Sequence, residues 1–201
     1  YRQLLQNGHI DAVSICTPNV LHGPIALAAA KAGKHILVEK PMATSLKEAD
    51  AMIQAAKEND VFLMVAHNQR LAPMHQLAKD ILVSGMLGRI YTFQTSFGHG
   101  GPESWSPTGT WFFKKDQAWA GAMADLGVHK ADLIRWLIGD EVAEVSAMVT
   151  RCEKTGDVED NGICLLRFRN GVIGTITASW THKPQEDNAT VIHGEKGTLL
   201  L

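Results

Sequence analysis

His35-Ile-Leu-Val-Glu-Lys-Pro41 decides how this chain folds. The stretch opens as a short apolar run of strand length, and a charged pair and a proline close it at once. Such a run reads as a parallel strand buried by crossover helices. Upstream, Ala12-Val-Ser-Ile-Cys16 has the same character and ends in Thr17-Pro18-Asn19, and Val61-Phe-Leu-Met-Val65 supplies a third run downstream. Between the first two, Ile25, Ala28, Ala29 and Ala32 repeat at helical spacing, with Pro24 in the first turn and Gly33 as the stop. Between the second and third, Ser45-Leu-Lys-Glu48 is a capping box, and Leu46, Ala49, Met52, Ile53 and Ala56 mark one apolar helical face. Strands alternating with helices predict right-handed parallel crossovers and a doubly wound α/β sheet. Thr17 to His22, Glu39 to Pro41 and His67 to Arg70 then share the sheet edge where open α/β sheets bind ligands. A lone Lys40 would read as a solvated loop charge. At that edge it is a candidate for chemistry.

With 201 residues, 45% of them hydrophobic, the chain can bury a sizeable core in one or two domains. A net charge of −2 leaves no basic footprint, so neither nucleic acid nor a membrane surface is an expected partner. Cys16, Cys152 and Cys164 form no CxxC pair, and Cys16 and Cys164 sit in apolar runs where a thiol acts as a small hydrophobe. These features predict a reduced, cytoplasmic protein without a membrane span or signal segment. His9, His35, His75, His99 and His193 lack metal-ligand spacing, so no metal site is expected, and His67 reads as structural at a strand end. Neither a GxSxG elbow nor an HExxH helix is present.

After Arg70 the pattern changes to a helix followed mainly by strands, which predicts domains at 1–67 and 68–201. Met74, Leu77, Ile81 and Leu82 fit a helix ending near Gly85, and Ile90 to Phe97 fits a strand. Trp105, Trp111 and Phe112, in a turn-rich segment, either line a substrate pocket or cover an edge. Gly121-Ala-Met-Ala-Asp-Leu-Gly-Val-His129 opens a helix running to Gly139, with Asp125 and His129 spaced i, i+4 on one face. Val145, Ala147 and Val149 alternate as in a strand. Ile163 to Phe168 and Val172 to Trp180 flank Asn170-Gly171, a two-residue hairpin signal, and further strands follow at Ala189 to His193 and Thr198 to Leu201.

Together, Asp11-Ala-Val-Ser-Ile-Cys-Thr-Pro-Asn19, His22, Ala32-Gly-Lys-His-Ile-Leu-Val-Glu-Lys-Pro41 and the capped helix resemble the nucleotide domain of the Gfo/Idh/MocA oxidoreductases, the glucose-fructose oxidoreductase and inositol dehydrogenase family. The run from Gly121 to His129 resembles the family's second signature. The resemblance implies the second half of a Rossmann dinucleotide-binding domain, then an α+β domain with an open, largely antiparallel sheet. The glycine-rich turn of the family is not found, since Gly98-His-Gly-Gly101 lacks its spacing. The resemblance therefore implies that Tyr1 and Leu201 are both internal positions.

It further implies NAD or NADP as cofactor, with Thr17, Pro18, Asn19, His22, Glu39, Lys40 and Asn68 as its contacts. Lys40, Asp125 and His129 are implied as catalytic residues. Oxidising a secondary alcohol removes the hydroxyl proton as a hydride leaves the same carbon, and a histidine suits the proton role because its pKa lies near neutrality. His129 is thus the expected general base, Asp125 its stabiliser and Lys40 the donor to the substrate oxygen. The expected function is hydroxyl–ketone interconversion on a sugar, polyol or related small metabolite by a homo-oligomer, dimer or tetramer. His182, after Trp180, is a further possible polyol contact. A nucleotide-sensing regulator of the same fold and an NAD-dependent glycosidase are the alternatives.

Overall fold

The computed structural model describes residues 1–201. It divides into two compact units, Tyr1–Ala66 with Lys114–Trp119, and His67–Phe113 with Ala120–Leu201. The excursion of 114–119 into the first unit has no counterpart in the sequence reading.

The first unit contains α1 (Arg2–Leu5), β1 (Ala12–Ile15), α2 (His22–Lys31), β2 (His35–Val38), α3 (Leu46–Glu58) and β3 (Leu63–Val65). Its strands pair in parallel in the order β1-β2-β3. Because that order advances in one direction, right-handed crossovers put both long helices on the same face. Ile15, Ile36 and Val38 pack there with Ile25, Ala26, Ala29 and Ala30 of α2 and Met52 and Ala55 of α3. The other face is open, with Leu37 and Met64 exposed. Within residues 1–66 both long helices thus lie on one face of the sheet, as one half of a doubly wound fold requires.

The capped helix also departs in detail. Ser45 Oγ accepts from Glu48 N at 3.2 Å as predicted, but the Glu48 carboxylate accepts from Thr44 N and Oγ1, one residue earlier than a capping box requires. Leu46 is 86% exposed and Ile53 42%, so the buried stripe is Met52, Ala55 and Ala56. Cys16 lies exposed beyond the end of β1, contrary to the buried thiol expected from its apolar run.

The second unit contains α4 (Pro73–Val83), β4 (Ile90–Gly98), a π-helical turn at Met123–Gly127 running into a long helix at Val128–Ile138, and five further strands. With the short Lys115–Ala118 helix of the first unit numbered α5, the long helix is α6. The strands are β5 (Val142–Thr150), β6 (Asn161–Phe168), β7 (Ile173–Ser179), β8 (Thr190–Gly194) and β9 (Gly197–Leu200). They form one mixed sheet in the order β5-β6-β7-β4-β8-β9, antiparallel except for the β4–β7 pair. Leu133, Ile134 and Leu137 of α6 pack on Phe93, Leu166, Phe168, Ile176 and Ile192 to make its core.

On α4 the expected Ile81 and Leu82 pack against the core, whereas Met74 and Leu77 are exposed and His75 and Ala78 are buried in their stead. Val145 and Val149 are exposed although Ala147, between them on the same side, pairs with buried Cys164. They sit on an edge strand beyond the reach of the helix layer. The hairpin turns through Arg169, Asn170 and Gly171, not two residues, because Phe168 N bonds Val172 O at 2.8 Å. Gly171 takes φ +90°, as a longer loop of this type requires.

Candidate functional site

In the first unit the predicted residues gather at the C-terminal ends of β1 and β2. Thr17 and Pro18 are half-buried, and Thr17 Oγ1 is buried without a hydrogen-bond partner. Buried hydroxyls are normally satisfied, so this oxygen fits a polar group of a ligand held at the strand end. Asn19 is 6% exposed and donates through Nδ2 to Ala118 O at 2.8 Å. His22 is fully buried, its Nδ1 lying 2.8 Å from Pro41 O and its Nε2 2.9 Å from Thr17 O. The ring thus sits between the carbonyls of Thr17 and Pro41, with an N–H to donate to one of them. His22 therefore braces the two loops that form the edge. Glu39 N bonds Ile15 O at 3.0 Å, which fixes the start of the Glu39-Lys40-Pro41 loop, and Glu39 Oε2 accepts from Lys40 N at 3.2 Å. The Lys40–Pro41 bond is cis.

In the second unit Asp125 lies inside the π-helical turn and His129 in the first turn of α6. The sequence spacing assumed a continuous α-helix, and π turns concentrate at functional positions. Gly121 N and Met123 N both donate to Glu159 Oε1, at 2.9 and 3.1 Å, and Ala122 N donates to Glu159 O at 3.0 Å. This glutamate thus satisfies the amides that open the segment. A Cβ at Gly121 would meet Glu159 O at 1.8 Å, so only glycine permits the approach. The Asp125 carboxylate accepts from Trp180 Nε1 at 3.1 Å. His129 packs on Phe97 with ring centroids 5.9 Å apart, and Phe97 also meets His99 edge-on. Burial lowers the His99 pKa below its usual value. His182 lies against Gly98, where a Cβ would come within 2.2 Å of its Nδ1.

Asn68 is exposed on a 3-10 turn, Asn68–Leu71. Arg70 clamps that turn by donating from Nε to Asp132 Oδ2 at 2.7 Å and from Nη2 to Oδ1. His67 Nε2 stands 3.7 Å from the same carboxylate, giving the expected structural histidine a definite partner. Trp180, Glu159 and Asp132 were missed by sequence reasoning. Asp132 alone carried a signal, three residues past His129 on the same helix. Trp111 stacks on Phe112 at 3.8 Å with Trp105 edge-on to it, while Phe112 and Phe113 pack against Trp180 and its neighbours. No helix is long and apolar enough to cross a membrane.

A parallel strand–helix unit with a braced loop edge, joined to a mixed sheet covered by the Asp125–His129 segment, defines a two-domain protein of the dinucleotide-binding class. Residues 1–67 match the family model for the oxidoreductase family with an NAD-binding Rossmann fold, and residues 75–200 match that for the Gfo/Idh/MocA C-terminal domain. The chain belongs to the Gfo/Idh/MocA oxidoreductase family. It is 33% identical to levoglucosan dehydrogenase of Pseudarthrobacter phenanthrenivorans, across 100% of this chain and 57% of that protein. It is 28% identical to myo-inositol 2-dehydrogenase of Thermotoga maritima, across 98% and 58%. The crystal structure of GenD2 from gentamicin A biosynthesis, in complex with NAD, superposes with a TM-score of 0.93 at 31% identity, over 99% of this chain and 56% of that one. Levoglucosan dehydrogenase in complex with NADH and levoglucosan gives 0.89 at 34% identity, over 100% and 56%. The chain thus spans somewhat more than half the length of these relatives.

Proposed function

We propose that the protein is an NAD(P)-dependent oxidoreductase that interconverts a hydroxyl and a ketone on a sugar or polyol. The observation that carries this reading is a buried carboxylate, Asp125, held by the Trp180 indole in the helical segment that also carries His129, in a member of an oxidoreductase family. The sugar- and polyol-acting relatives supply the substrate class.

Thr17 and Pro18 would hold the dinucleotide, with Glu39 and Asn68 toward its nicotinamide. Once bound, the dinucleotide supplies the acceptor for the hydride that leaves the carbinol carbon. The chain's own residues manage the proton and the charge. Nδ1 of His129 is buried, so Nε2 is the nitrogen that takes the hydroxyl proton. Asp125 stabilises the imidazolium that results. Lys40 Nζ donates to the substrate oxygen and offsets its developing negative charge. The outer face of the six-stranded sheet exposes Met148, Ile163, Leu165 and Ile173, an apolar surface that suits the homo-oligomer expected of the family.

The test is the near-ultraviolet absorbance of reduced nicotinamide when the protein is offered NAD or NADP with a panel of inositols, anhydrosugars, sugars and sugar acids. Reduction with a polyhydroxylated substrate supports the reading and identifies cofactor and substrate class together. Dinucleotide binding without any reduction favours a sensing role, and release of a glycone with no net reduction favours a glycosidase.

A further inference from the structure

Trp119 has φ +74° and ψ −50°, on the left-handed side of the backbone map. For a bulky aromatic residue this is a true outlier, and such strain persists only where the surroundings impose it. The other non-glycine residue with positive φ is Asp60, and aspartate tolerates that conformation. At Trp119 the imposition is visible. Its N–H donates to Lys115 O at 2.9 Å, and the residue before it, Ala118, is 2% exposed with its carbonyl taken by Asn19 Nδ2 at 2.8 Å. A buried bond from the Thr17-Pro18-Asn19 loop thus pins the bend that Trp119 completes.

Neither backbone preference nor core packing accounts for a tryptophan here. Glycine would satisfy the bend at no steric cost. The side chain contributes little core, because the residue is 47% exposed. A tryptophan with a strained backbone, about half exposed and directly following a residue bonded to the loop that carries the unsatisfied buried hydroxyl of Thr17, is arranged for a ligand. We propose that Trp119 is a binding residue for the dinucleotide carried by the first unit, packing its indole on the bound cofactor. The inference rests on the dinucleotide reading above and adds to it a residue that belongs to neither of the motifs defining the family resemblance.

The experiment measures dissociation constants for NADH and NADPH by calorimetry, and the melting temperature of the ligand-free protein, for the wild type, Trp119→Gly and Trp119→Phe. Trp119→Gly is expected to weaken binding of the preferred dinucleotide about tenfold, the loss of one aromatic contact. Its ligand-free melting temperature is expected to stay level or rise by up to about 4 °C, because the strained bend is relieved. Trp119→Phe is expected to bind within about threefold of the wild type, since it keeps an aromatic face. Wild-type affinity in Trp119→Gly overturns the proposal, and so does weakened binding accompanied by a lower ligand-free melting temperature, which would mark a structural residue. If the wild type binds neither dinucleotide, the underlying reading fails and the proposal with it.

Discussion

The indole N–H of Trp180 donates to Asp125 Oδ2 at 3.1 Å, and both residues are buried, at 1% and 7% exposure. Trp180 reaches the carboxylate from the end of β7, packed among Ala122, Leu126, Val158 and Ala178, so the donor cannot swing away without disturbing the core. A buried carboxylate deprived of a donor costs about 1–3 kcal/mol. Trp180→Phe keeps an aromatic ring and removes the donor. It should lower stability by that amount and slow turnover about tenfold, with dinucleotide affinity unchanged. A double-mutant cycle with Asp125→Asn, read by urea unfolding, should give a coupling energy of about 1–2 kcal/mol. Additive effects would show that the two side chains do not depend on each other.

Asp160 organises the turn after β5. Fully buried, it accepts from the backbone N–H groups of Cys152, Glu153 and Lys154 at 2.8, 2.7 and 2.8 Å and from Asn161 Nδ2 at 2.9 Å. Burial alone would raise its pKa, but these donors outweigh it and hold the carboxyl at about 2, below the ordinary 3.8. The folded pKa is depressed, so the contribution is complete above the unfolded value and is lost as pH falls toward about 2. Its size is about 2 kcal/mol. Asp160→Asn should lose roughly this much in urea unfolding at neutral pH, and the gap to the wild type should close in acid. A gap that persists unchanged into acid would contradict the assignment.

Lys130 follows His129 on α6 and is fully buried, with Nζ donating to Asn188 O and Thr190 Oγ1, both at 3.2 Å. Burial lowers its pKa from 10.5 to about 8, against the opposing pull of Asp187 and Glu186. Between those values the unfolded chain binds more protons than the folded one, so this group's contribution is complete above 10.5 and lost as pH falls through about 8. The wild type should therefore gain up to about 3 kcal/mol over Lys130→Met across that interval. At neutral pH the methionine variant should be as stable as the wild type or more so, since no buried charge remains. Parallel stability curves for the two proteins across that interval would refute the prediction.

Much of the first unit was legible because parallel strands leave a plain signature. The runs at Ala12–Ile15 and His35–Val38 are the strands observed. The open face was not legible, since Leu37 and Met64 are as apolar as the buried Ile36 and Val38. Only the direction in which strand order advances tells the two faces apart. The same limit explains Leu46 and Ile53, apolar residues whose exposure depends on where α3 lies across the sheet.

In the second unit the sequence indicated strands but not their order, because a nonlocal parallel pair such as β4–β7 leaves no local trace. The candidate residues Lys40, Asp125 and His129 were found by motif, whereas Trp180 and Glu159 hold the Asp125 segment from positions dozens of residues away. Sequence likewise carries no sign that His22 faces two backbone carbonyls and so ties the Thr17 loop to the Pro41 loop.

The role of His129 in moving the proton is tested most directly by comparing turnover of wild type and His129→Asn on the substrate that the panel identifies, with dinucleotide affinity measured alongside. The expected result is a loss of about 10²–10⁴-fold in turnover, the usual contribution of a general base, with cofactor affinity within about threefold of the wild type. Turnover at the wild-type rate in His129→Asn would rule out that role.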